Sequence, residues 1–215
     1  MGNVDQVYVP ALVLTNSGKV EPSRKAVLRL QQRWTELRDT FSFVLPDKVE
    51  PLLDSVTGVI DDAYELVDQG QLDAGHEELE KVRWITMELR DTLGVEYYLD
   101  RLTRYHEILE GIVTAGKDSV VDSTAVETID SLYPVAQQQW GIVREASPDT
   151  AVFDLSSEEL ATVQEGIRAE SDALDSLGLA LESGEPGPIA GRARALRPPF
   201  VSIFTAFGDF EAAGR

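Results

Sequence analysis

A chain of 215 residues, 43% hydrophobic and 27% charged, is long enough to bury the core of one large domain or two small ones. Its 38 acidic against 19 basic residues leave a formal net charge of −19, which argues against nucleic acid and anionic lipid and for a cation or a basic protein partner. Without cysteine there is no disulfide, thiolate metal site, cysteine nucleophile or covalent haem, and no run approaches the ~20 apolar residues of a membrane span.

Residues 1–20 read as an extended N-terminal arm. Pro10 interrupts its apolar run, Tyr8, Leu12 and Leu14 lie over a bundle, and Asn16-Ser17-Gly18 turns. A helix is expected from Pro22-Ser23 to Pro46, with Val27, Leu30, Trp34, Leu37 and Phe41 at helical spacing. The next runs from Asp47 to Asp68 and breaks at Gln69-Gly70-Gln71. A third starts with Asp73 as its cap, carries Leu79, Val82, Thr86, Leu89 and Leu93 on one face, and stops at Gly94. A fourth covers Glu96 to Ala115, with Tyr98, Leu102, Tyr105, Leu109 and Ile112 inward. Short breaks between these four predict an antiparallel bundle over residues 21–117.

The second stretch, 118–215, has the same style. A helix is expected over Ser123–Glu145. Another opens on the capping-box pattern Ser156-Ser157-Glu158-Glu159 and runs to Glu182. After the linker Ser183 to Pro188, one helix ends at Arg197-Pro198-Pro199 and a last one carries Phe200, Ile203, Phe204 and Phe207. No alternating run suggests a sheet. Trp34 before Gly70 and Trp140 before Gly184, each break followed by a further helix, suggest two related four-helix-like halves. The predicted class is an all-α antiparallel helical bundle.

The chemistry worth weighing lies in the only two histidines. They head His76-Glu77-Glu78-Leu79-Glu80 and His106-Glu107-Ile108-Leu109-Glu110. If the third and fourth helices fold back at a turn near Leu93-Gly94, His76 stands level with Glu110 and Glu80 with His106. Within each helix, a spacing of four puts His and Glu on one face. His76, Glu80, His106 and Glu110 would then form a His2Glu2 set suited to zinc, iron, manganese or copper. Asp73, Glu77 and Glu107 are placed to orient the imidazoles, and Arg83 to neutralise a carboxylate or to stand where the metal would. The helical wheel sets all four candidate ligands at the edge of the apolar face. The competing reading is therefore a His–Glu hydrogen-bond network with no metal. Diiron bundles use Glu-x-x-His, which this chain lacks.

The Phe200–Phe210 stripe reads as core, Arg192, Arg194 and Arg197 as a helix-closing cluster, and the three tryptophans as core anchors. No nucleophile elbow, phosphate loop or dinucleotide fingerprint is present.

The residues Tyr8-Val9-Pro10-Ala11-Leu12, Trp34, Gly75-His76-Glu77-Glu78-Leu79-Glu80-Lys81-Val82-Arg83 and Tyr98-Leu99-Asp100-Arg101-Leu102-Thr103 with His106-Glu107 resemble a family of small bacterial helical-bundle proteins, often exported. They are also similar in style to the bundle cytochromes, whose haem-attachment cysteines are missing here. That resemblance implies a periplasmic or otherwise exported protein, the opening Met1-Gly2 fits a removed leader, and a cytoplasmic protein is the alternative. The functional expectation is a non-enzymatic metal-binding bundle handling metal. Its alternative is a metal-free structural or protein-interaction module.

Overall fold

Apolar residues recur at three- and four-residue spacing along most of the chain. A computed structural model, which describes residues 2–41 and 44–213, folds these runs into eleven α-helices and one 3-10 turn, with no strand among the described residues. The helices divide into two compact units.

The first unit comprises Met1–Tyr97, Ala151–Asp154 and Phe207–Arg215. Its frame is α1 (Gly2–Thr15), α2 (Val20–Phe41), α3 (Glu50–Asp68) and α4 (Leu72–Leu93). α1 packs on α2, α2 on α3, α3 on α4 and α4 back on α1, so four helices ring one core. Val9, Val27, Leu30, Leu53, Val56, Ile60, Leu79 and Val82 fill it. Short connections between packed neighbours make the ring antiparallel. Gly75 lets α4 close on α3, because a Cβ there would lie 2.6 Å from Val67 Cγ2.

The arm expected to be extended is instead the helix α1. Pro10 suggested otherwise, since proline removes the hydrogen bond to the carbonyl four residues back. That carbonyl, Gln6 O, accepts a 2.8 Å hydrogen bond from Asp209 N in the same unit. The missing bond is thus replaced from the far end of the sequence, and Pro10 stays inside the helix.

The second unit comprises Tyr98–Thr150 and Leu155–Ala206. It holds α5 (Tyr98–Ala115), α6 (Ser123–Glu145), α8 (Ser157–Ser183), α9 (Pro186–Ala195) and α10 (Arg197–Thr205); of the short helices, α7 (Thr150–Phe153) from Ala151 on and all of α11 (Phe210–Ala213) belong to the first unit. α5 packs on α6, α9 and α10, and α8 on α6, α9 and α10. The capping box at Ser156 forms as predicted: its hydroxyl accepts from Glu159 N at 3.2 Å, and Glu159 Oε2 accepts from Ser156 N at 2.7 Å. The division falls between Tyr97 and Tyr98, whereas the sequence reading placed it at 117/118. The difference is α5, which follows its packing partners rather than its neighbour in sequence.

Candidate functional site

His76 stands on α4 at the boundary between buried and exposed. Its Nδ1 lies 3.0 Å from Leu12 O and 3.1 Å from Thr15 Oγ1, both on α1. A carbonyl only accepts, so the ring proton belongs on Nδ1. Nε2 lies 3.5 Å from Glu80 Oε1, and the same oxygen accepts from Arg83 Nη2 at 2.7 Å. Next to this group the Tyr8 hydroxyl donates to Leu79 O at 3.0 Å, and burial pushes the phenol well above its ordinary pKa. The histidine is a strut between α1 and α4.

His106 repeats the pattern in the second unit with different partners. Its Nε2 is 3.4 Å from Glu110 Oε1, and its ring stacks on Phe200 with centroids 5.0 Å apart. Glu110 also accepts from Arg197 Nη2, at 2.6 Å to Oε2. Burial pushes the Glu110 carboxyl up. The hydrogen bonds and charges of His106 and Arg197 outweigh it, and the group sits at about 2.

The four expected ligands therefore form two pairs rather than one site. His76 and Glu80 are held in the first unit, His106 and Glu110 in the second. Among the described residues no group of three or more His, Asp or Glu side chains is arranged to hold a metal ion. This overturns the expected His2Glu2 site, the zinc, iron, manganese or copper cofactor, and the metal-handling function. The physical reason is twofold. The Gly94 turn forms, with φ 68°, but α4 and α5 belong to different units. Each carboxylate, moreover, already carries a guanidinium. The arrangement matches the alternative reading, a hydrogen-bond network.

Two features escaped the sequence reading. Glu170 on α8 has no exposed surface and receives the hydroxyl of Tyr105, itself fully buried. Burial raises the Glu170 carboxyl to about 8 despite the opposing Tyr105 hydrogen bond, and its Oε2 has no hydrogen-bond partner. Glu170 shares the helical spacing of Val163, Gly166, Leu174 and Leu177, so a carboxylate on an apolar stripe was the available signal. The second feature is a cavity of about 90 Å³ in the first unit, enclosed by Tyr8, Trp34, Leu37, Leu53, Val82 and Leu89. Asp5 and Arg90 mark its polar side. The Tyr97 hydroxyl bonds to Asp5, and the Arg90 guanidinium lies 4.4 Å from the centre of the Tyr97 ring.

Within the arginine cluster, Arg197 pairs with Glu110 and Arg194 meets the end of α5. Arg194 Nη1 donates to Gly116 O at 2.7 Å and Asp118 O at 2.6 Å beyond the end of α5. Phe200, Ile203 and Phe204 are core of the second unit and Phe207 of the first. No described helix is long and apolar enough to cross a membrane. No protein-family model, curated protein or solved structure matches this chain.

Proposed function

We propose that this chain is a metal-free helical interaction module, built from two related four-helix halves, that recognises a basic protein partner. The observation that carries it is the engagement of both histidines. Each imidazole faces a carboxylate that also takes an arginine, and each is held by packing or hydrogen bonds within its own unit. The side chains with most chemical versatility thus serve the fold, and the net charge of −19 remains as the surface property a partner would read.

Several equivalences support the two halves. Trp34 Nε1 donates to Thr57 Oγ1 at 2.9 Å, and Trp140 Nε1 donates to Ser171 Oγ at 3.0 Å. Both hydroxyls bond back to the carbonyl four residues earlier, Leu53 O and Ile167 O. Gly70 follows Thr57 by thirteen residues and Gly184 follows Ser171 by thirteen; both have positive φ, 77° and 69°. Tyr8 and Leu12 on α1 match Tyr105 and Leu109 on α5, each a buried pair spaced by four.

The test is calorimetric titration of the whole chain with a Lys-rich peptide at low and at near-physiological salt, with and without Zn²⁺. The expected result is binding that weakens severalfold as salt rises and is indifferent to zinc. Saturable zinc binding at a fixed stoichiometry, or no heat with the peptide at either salt, would overturn the reading.

A further inference from the structure

We infer that the cavity among α1, α2, α3 and α4 is the seat for one aliphatic side chain, of leucine size, carried by the basic partner segment. This rests on the proposed interaction role and says where its specificity resides.

The two halves differ at one place. Counting from the closing glycines, Thr86 and Arg90 fall sixteen and twenty residues after Gly70, and Phe200 and Phe204 fall sixteen and twenty after Gly184. The helical course is kept, since Leu196 between α9 and α10 has φ −70° and ψ −32°. In the second unit Phe200 stands 6.1 Å from the Tyr105 ring and stacks at 6.2 Å on Phe204. Tyr105 is the counterpart of Tyr8, a wall of the cavity. Two phenylalanine rings thus stand where the first unit has a threonine and an arginine folded onto Tyr97. One half is filled and the other hollow at the same place.

An engineered cavity of about 150 Å³ admits benzene. At about 90 Å³ this one suits a smaller, branched aliphatic group. Its walls are apolar, and it reaches the surface beside Phe41, which is 42% exposed. Its one cation and one anion, Arg90 and Asp5, both engage Tyr97, and Arg90 Nη2 also donates to Thr86 Oγ1 at 3.3 Å.

The helix ends that supply the walls carry exposed acids: Asp39 near Phe41, Asp47 near Leu45, Glu50 and Asp54 flanking Leu53, and Asp91 next to Arg90. Arg38 on α2 is committed to Glu50 and Asp54, and the exposed Lys48 donates to Thr92 O at 2.9 Å. An apolar hole in an acidic surround fits an apolar residue flanked by lysines or arginines.

The experiment compares a short Lys-rich peptide carrying one central Leu with the same peptide carrying Ala, on the full chain. Affinity and the methyl NMR shifts of Leu53, Val82 and Leu89 are the readouts. The Leu peptide should bind about tenfold more tightly or better, as burial of an aliphatic side chain requires, and should shift those methyls. Thr86→Phe, which copies the second half, should abolish the difference between the two peptides. Thr86→Leu, a smaller filler, should do the same if the Phe variant folds poorly. Equal binding of the two peptides would overturn the cavity inference and leave the acidic-surface reading standing. Failure of both to bind would overturn both. Methyl shifts equal for the two peptides would likewise exclude the cavity as the seat.

Discussion

Replacing Glu170 with glutamine should make the second unit more stable at pH 8 and leave it nearly unchanged at pH 5. Glu170 is inaccessible to solvent, and its carboxyl is raised by burial from an ordinary 4.5 to about 8. Between these values the folded chain holds a proton that the unfolded chain has released, so the native state binds more protons and stability falls as pH rises. Over about 3.5 units, at about 1.4 kcal/mol each, the loss approaches roughly 5 kcal/mol as a ceiling. The glutamine keeps an oxygen to accept the Tyr105 hydroxyl and cannot ionise. Its NH2 replaces an oxygen that already lacks a partner, so little is lost at low pH. The assay is urea unfolding at pH 5 to 9, followed by Trp140 fluorescence in a Trp34→Phe, Trp84→Phe background, since the Tyr105 ring centre lies 4.8 Å from that of Trp140. The advantage of the variant should grow with pH. A constant difference across the range, or a wild-type stability that rises from pH 5 to 8 faster than the variant's, would refute the assignment of a buried neutral carboxyl.

Three further outcomes follow from the same geometry. Glu110 is held at about 2 by His106 and Arg197 against the effect of burial, so its contribution is present above pH 4.5 and disappears as pH falls toward 2. Glu110→Gln should flatten that acid limb by about 1 kcal/mol once partial exposure is discounted, as measured by acid titration of ellipticity. Gly75→Ala places a methyl 2.6 Å from Val67 Cγ2 and should destabilise the first unit by about 1–3 kcal/mol in urea unfolding read by Trp34. His76→Ala removes the strut to Leu12 O and Thr15 Oγ1 and should cost about 1 kcal/mol, with faster hydrogen exchange of α1 amides and no change in response to zinc.

The helical class was legible because period and punctuation agree. The apolar spacing, the Ser156 capping box and the glycine stop at Gly94 each correspond to a local interaction that forms in the structure. The halves' border was not legible, because local signals say where a helix ends but not which helix it will pack against. The same gap undid the metal site. Placing His76 opposite Glu110 assumed that α4 and α5, adjacent in sequence, are partners in space. The wheel's warning that these residues sit at the edge of the apolar face was sound. The helix α1 was hidden for a related reason, since the hydrogen bond that accommodates Pro10 comes from Asp209.

That bond constrains the order in which the molecule is made. The first unit opens ahead of the second in sequence, yet its α1 carbonyl at Gln6 waits for Asp209, and Phe153 meets Phe207 at 4.9 Å to complete the aromatic contact with Tyr97. Contacts this distant in sequence form late and slowly. The nascent helices α1 to α4 must therefore persist without their final partners while the whole second unit is synthesised, and shortening the chain from its C-terminal side would reach the N-terminal helix before it touched the middle of the protein.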